Sequence, residues 1–178
     1  MEHIVTKTYM PIKPGHKRFK TLVVKMVLFI LGRSFHSASK LDSDIRSEIA
    51  DWEEGFRFMM KVYPQGPRMS VEKWKGILKF RGFRPESADL IITFKSLESA
   101  FLLFTARCGT CQGFAESRFI VNGDISRAMS LTRCLNVLQG YLFPSVISRL
   151  ILKRLPPLPW HKQLIRLYIY TLGIPFGL

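Results

Sequence analysis

The apolar repeat of this chain changes period between Trp52 and Phe56, and that change constrains the fold more than any other feature. Up to Trp52 the apolar residues recur at helical spacing, with Leu41, Ile45, Ile49 and Trp52 on one stripe. From Phe56 they recur at every second position. Phe56, Phe58, Met60 and Val62 share one face, and Arg57, Lys61 and Tyr63 take the other, together with Met59. Beyond Phe94 the helical spacing returns. The chain therefore mixes helices with short strands.

Turn chemistry divides it further. Residues 21–34 read as a helix and 41–52 as a second, with Asp42 and Asp44 in its first turn, where the helix dipole favours acids. Strands follow over 56–63, 69–74 and 77–81, separated by Pro64-Gln65-Gly66-Pro67 and by Lys75-Gly76, and these predict an antiparallel meander. A strand over 88–94 sets Leu90, Ile92 and Phe94 on one side. Ser96 is placed to cap the next helix, whose stripe is Leu97, Ala100, Phe101 and Phe104 and which ends near Arg107. A short helix then runs through Phe114 and Ala115. A strand over 118–121, a turn at Asn122-Gly123 and a cap at Asp124 open a long helix. Its stripe is Ile125, Ala128, Met129, Thr132, Leu135, Leu138 and Leu142. Past Pro144 the sequence predicts a basic apolar helix over 145–155, a stiff linker over 156–159 and a last helix over 161–172. Residues 1–20, with Pro11, Pro14 and Gly15 among polar side chains, read as an irregular basic arm.

Charge is unevenly spread. Lys and Arg number 27 against 13 Asp and Glu, a formal +14, and the excess sits at the two ends. Glu2 is the only acid before Asp42, and none follows Asp124. Such asymmetry points to an anionic partner, with simple solubility as the alternative. Arg149, Lys153, Arg154, Lys162 and Arg166 lie among apolar residues, a pattern that suits anionic lipid headgroups. Nucleic-acid modules instead interleave basic and aromatic residues on one surface, so nucleic acid is the weaker reading.

Two apolar stretches fall short of the roughly 20 residues that span a bilayer. Residues 21–32 are interrupted by Lys25 and closed by Arg33, and residues 167–178 are broken by Pro175. A secretory leader would need Ser37-Ala38-Ser39 as its cleavage site, but its apolar run starts late and contains Lys25. A helix lying on a membrane or on the domain fits better, and the protein reads as cytoplasmic, with membrane association. Cys108, Cys111 and Cys134 are too few for a disulfide framework and agree with a reducing compartment.

Chemistry is sparse. Cys108-Gly109-Thr110-Cys111 has the spacing of a redox pair or half a zinc site, yet it falls between two helices and lacks further ligands nearby in sequence. His3, His16, His36 and His161 lie in the terminal regions without a paired nucleophile. Asp51, Glu53 and Glu54 read as a solvated face. No glycine-rich phosphate loop occurs. No catalytic residue, metal ligand or cofactor is expected, and the chain reads as a binding protein.

One segment is specific. Ala88-Asp89-Leu90-Ile91-Ile92-Thr93-Phe94 is followed by the helix over 97–104 and a turn at Thr105-Ala106-Arg107. Then come the short helix around Gln112-Gly113-Phe114-Ala115, the strand Arg118-Phe119-Ile120-Val121, and Asn122-Gly123-Asp124 opening the long helix with Ala128-Met129. This order resembles the sterol carrier protein type-two family, closely over about a third of the chain and loosely over residues 56–81. The resemblance implies an α+β fold, a five-stranded mixed sheet covered on one face by helices, here with extra helices at both ends. It also implies a non-catalytic domain with an apolar tunnel for sterols, fatty acids, fatty acyl-CoA or isoprenoid lipids, serving either transfer or presentation of a lipid or quinone intermediate to biosynthetic enzymes.

The sequence departs from the family pattern in three places. The family often has Thr-Gly-basic where Thr105-Ala106-Arg107 stands, the end Phe176-Gly177-Leu178 is not of the Ser-Lys-Leu type, and the terminal extensions are additions. A bacterial cytoplasmic relative is favoured over a peroxisomal carrier. The expected organisation is an arm over 1–20, the lipid-binding domain over 21–143 and a helical extension over 144–178. Candidate ligand contacts are Phe101, Phe104, Phe114, Met129, Leu135 and Leu138, since Phe and Met stripes suit a greasy, variable ligand. Ordinary core packing is the competing reading for each.

Overall fold

The computed structural model describes residues 18–83, 87–105, 107–142 and 160–173. Helix α1 spans Arg18–Leu41, longer at both ends than the expected 21–34, and so takes in the end of the arm. Nothing in its sequence breaks a helix: Gly32 is tolerated because α1 packs closely there, and a Cβ on Gly32 would lie 2.3 Å from the Phe80 ring. Among the described residues α1 is the one helix long and apolar enough to cross a bilayer. It exceeds the 21–32 stretch because the helix begins at Arg18 and runs on past Arg33 to Leu41. Its Val24, Leu28 and Phe35 are nevertheless wholly buried in the core.

The expected second helix over 41–52 is shorter. Asp42 stops α1 and caps α2, Ser43–Ile49, its carboxylate accepting from the amides of Asp44 at 2.7 Å and Ile45 at 3.3 Å. Asp42 is thus the cap and not a first-turn residue. The other end of α2 is closed by Lys73, whose ammonium donates to the carbonyls of Ile49, Ala50 and Trp52 at 2.9, 3.0 and 2.6 Å. A cation on the orphan carbonyls of a helix C-terminus satisfies both hydrogen bonding and the dipole.

Five strands follow: β1 Arg57–Val62, β2 Arg68–Trp74, β3 Ile77–Gly82, β4 Leu90–Phe94 and, after two helices, β5 Phe119–Asn122. They form one mixed sheet in the order β3-β2-β1-β4-β5. β1 and β4 are parallel, and the other three pairs are antiparallel. The expected meander is β1-β2-β3. Its β2–β3 turn holds Lys75 and Gly76 at positive φ, 54° and 74°, as the twist of a two-residue hairpin demands. Their amides donate to the Glu54 carboxylate at 2.8 and 2.9 Å, so one member of the acidic cluster braces this turn.

Phe58, Met60 and Val62 face the core, as the alternation in β1 predicts. The opposite face carries Glu72, held between Arg57 and Arg81. The Arg81 guanidinium, and then Arg57, keeps the Glu72 carboxyl below its usual range against the opposing effect of burial.

Helices cover the core face. α1 lies over β3 and β2, where His36 Nδ1 meets the Leu78 carbonyl at 2.7 Å and the Leu78 amide donates to Ser39 Oγ at 2.9 Å. Burial lowers the pKa of His36, with Lys40, Arg33 and Lys79 adding to the effect and the Leu78 bond opposing it. α3, Leu97–Phe104, is capped by Ser96 as expected, and α4 spans Thr110–Ala115. The long α5 spans Ile125–Leu142, with Asp124 accepting from the Ser126 amide at 2.6 Å. α5 docks on α2 through Trp52 Nε1 donating to Ser130 Oγ (3.2 Å), Ser130 Oγ donating to the Glu48 carbonyl (2.7 Å) and Tyr141 donating to Asp42. The last helix, α6, spans Trp160–Tyr168 and runs into a π-helical turn, Ile169–Gly173. The expected helix over 145–155 and the linker over 156–159 lie outside the described residues.

Candidate ligand cavity

The core is not filled throughout. Between the covered sheet face and the helices lies a cavity of about 410 Å³. β1, β4 and β5 form its floor through Met60, Ile92, Phe94, Phe119 and Val121. α1 contributes Val27, Ile30 and Leu31, an i, i+3, i+4 set on one helix face. α3 adds Leu103 and Phe104, and α5 adds Ala128, Thr132, Leu135, Gln139 and Leu142. Thr110 and Tyr170 complete the lining.

Aromatic contacts stiffen one wall. The Phe94 and Phe104 rings meet edge-on with centroids 5.1 Å apart, and Phe94 and Phe119 lie 6.0 Å apart. Gly113 lets α4 approach α3, since a Cβ there would sit 2.8 Å from the Leu103 side chain. Leu103 and Phe104 therefore stand where α3 is pressed between α4 and the sheet.

The wall is apolar with few polar groups. Thr132 Oγ1 donates to the Ala128 carbonyl at 2.8 Å, and the Tyr170 hydroxyl donates to the Leu142 carbonyl. Gln139 and Thr110 supply the remaining polar atoms. Among the described residues that line the cavity there is no Asp, Glu, Lys, Arg or His.

Two of the six candidate contacts, Phe104 and Leu135, lie in this lining. Leu138 is wholly buried on the core side of α5. Phe101 is half-buried on α3, with the Lys20 ammonium 5.4 Å from its ring centroid. Phe114 and Met129 are exposed, at 65% and 55%, and Phe114 packs on the outer side of Phe119 with centroids 5.9 Å apart. The α1 set and the floor residues Ile92 and Phe94 escaped the sequence reading. Their spacing announced a buried face but not the empty space in front of it. Of the membrane-contact candidates, Arg149, Lys153 and Arg154 lie outside the described residues. Lys162 and Arg166 fall on α6, and their side chains lie outside the description as well.

Among the described residues no group of three or more His, Cys, Asp or Glu could hold a metal ion. Cys108 and Cys134 are buried free thiols. Burial, reinforced by Glu48, pushes the Cys134 pKa up to about 12.

Fold and cavity together define a mixed α+β domain with an apolar pocket between its sheet and helical layers. Solved structures similar to this chain include sterol carrier protein type-two domains. The UbiJ-SCP2 ubiquinone synthesis protein is 18% identical, with 66% of this chain and 97% of that one covered at a TM-score of 0.39. The sterol carrier protein domain 2 of Helicoverpa armigera is also 18% identical, covering 67% and 94% at 0.48. The sterol carrier protein 2 like 2 of Aedes aegypti is 16% identical, covering 53% and 93% at 0.32. No family model and no curated protein matches the sequence.

Proposed function

We propose that this protein binds a hydrophobic small molecule in the cavity between its sheet and helices, and carries or presents it at anionic membrane surfaces through its basic ends. The cavity is the observation that supports this. The cavity is partly open to solvent, and its apolar wall left to water forgoes burial that a greasy ligand would restore. Space on that scale persists where water or a ligand fills it. Inserting an alkyl chain returns about 0.8 kcal/mol per buried methylene, so a chain of ordinary length offsets the cost of association. The sequence resemblance to sterol carrier domains points the same way.

Membrane docking draws support from α1. Phe19, Leu22 and Met26 form an exposed apolar stripe, 72%, 56% and 53% accessible, beside Arg18 and Lys25. Apolar side chains flanked by cations suit the interface of an anionic bilayer.

Native mass spectrometry of freshly purified protein is expected to show a lipid bound one to one, and the protein is expected to co-sediment with phosphatidylglycerol vesicles but not with phosphatidylcholine vesicles. A ligand-free protein that takes up no fluorescent lipid would remove the carrier reading. Equal sedimentation with both vesicles would remove the docking reading.

A further inference from the structure

We infer that the cavity admits an uncharged lipid head-first, and that Gln139 reads the oxygen of its head group. This rests on the carrier reading above and narrows it to a ligand class: long-chain or isoprenoid alcohols, ketones, quinones and esters, not ionised acids.

The first support is what the lining contains. No Asp, Glu, Lys, Arg or His stands among the described lining residues. A carboxylate or phosphate drawn into such a wall would give up its hydration and meet no counter-ion, a penalty of several kcal/mol. A neutral hydroxyl or carbonyl needs only a hydrogen-bond partner.

The second support is which partners are still open. The hydroxyl protons of Thr132 and Tyr170 are already given to the carbonyls of Ala128 and Leu142. Both oxygens remain acceptors but have no proton left for a ligand. The Gln139 amide makes no hydrogen bond within the described residues, and it carries two donors and an acceptor. It stands on the cavity face of α5, between Leu135 and Leu142, close in sequence to the Leu142 carbonyl that holds Tyr170. The Gln139 amide thus offers a ligand oxygen a donor in a wall that is otherwise mostly hydrocarbon. Among the described lining residues Thr110 is the hydroxyl without a bond of this kind, and it stands on a different element, α4.

The test uses the full chain loaded with Nile red, an uncharged solvatochromic dye, and displacement by tetradecanol or tetradecanoate at about pH 8, where the carboxylate is ionised. Tetradecanol is expected to displace the dye at least tenfold more tightly than tetradecanoate. Gln139→Leu is expected to weaken the alcohol about tenfold, the worth of one hydrogen bond in an apolar site, and to leave the acid unchanged. Gln139→Glu, nearly the same shape, exchanges the donors for a negative charge and is expected to weaken both. It provides the reading if the leucine variant fails to fold by circular dichroism.

Equal displacement by alcohol and acid would overturn head-first selection while leaving the carrier reading intact. An alcohol preference untouched in both variants would remove Gln139 from the role. A protein that binds neither the dye nor either lipid would bring down the carrier reading itself.

Discussion

The ammonium of Lys73 lies 2.6 Å from the carbonyl oxygen of Trp52 and donates to it, although Lys73 belongs to a strand and Trp52 to the turn after α2. The same ammonium reaches Ile49 and Ala50, so one buried cation closes the end of α2 from inside the sheet. Lys73→Met keeps the stem but leaves the Ala50 and Trp52 carbonyls without this donor and the Ile49 carbonyl with the Trp52 amide alone. It is expected to destabilise the fold by about 3 kcal/mol, as loss of charge-assisted bonds in a buried place does. Urea unfolding of both proteins checks this, and an unchanged midpoint would refute it.

Tyr141 carries a pH dependence. Burial, and then the hydrogen bond and charge of Asp42, raise the pKa of its hydroxyl above the ordinary phenol value. A raised folded-state pKa gives stability that is complete below the unfolded value, about 10. That stability is lost progressively as pH rises above it. Tyr141→Phe is therefore expected to be less stable than the parent at neutral pH by about 1–2 kcal/mol, and the gap is expected to narrow above about pH 10. Unfolding curves at a neutral and an alkaline pH test the sign.

The cavity wall makes a different demand. Ala128 faces the cavity from α5, so Ala128→Phe puts a ring into the space a ligand would use. Because the ring occupies empty volume and displaces no neighbour, stability is expected to stay within about 1 kcal/mol of the parent. Uptake of fluorescent lipid is expected to fall at least tenfold. A variant that folds and binds as before would show that this space is not the binding site.

Cys134 is expected to be inert. With its pKa pushed up to about 12, almost none of it is thiolate near neutral pH. In a variant with Ser at positions 108 and 111, an aromatic disulfide reagent is expected to leave the folded protein unreacted and to modify the unfolded protein fully. Rapid reaction of the folded form would contradict the burial of α5 against α2.

Much of the fold was legible because each local signal has one meaning. Alternation in residues 56–63 fixed the face that Phe58, Met60 and Val62 bury, and Ser96 and Asp124 announced the starts of α3 and α5. Helix ends were harder to read. Where α1 ends and α2 begins both follow from Asp42, whose carboxylate caps one helix as it ends the other, and whose second oxygen is taken by Tyr141 from a distant part of the chain. The site was only half legible. Phe104 and Leu135 sat on stripes that named a buried face, but Phe114 and Met129 sat on the same kind of stripe and point to solvent.

From the sequence alone come the periods, the caps, the turns and the charge at the ends, because each depends on residues a few positions apart. Whether apolar faces meet in contact or stand back around a void depends on how the sheet and the helices pack across the whole chain. Packing alone put Val27, Met60, Phe94 and Gln139 around one space, and no spacing within any one element contains that information.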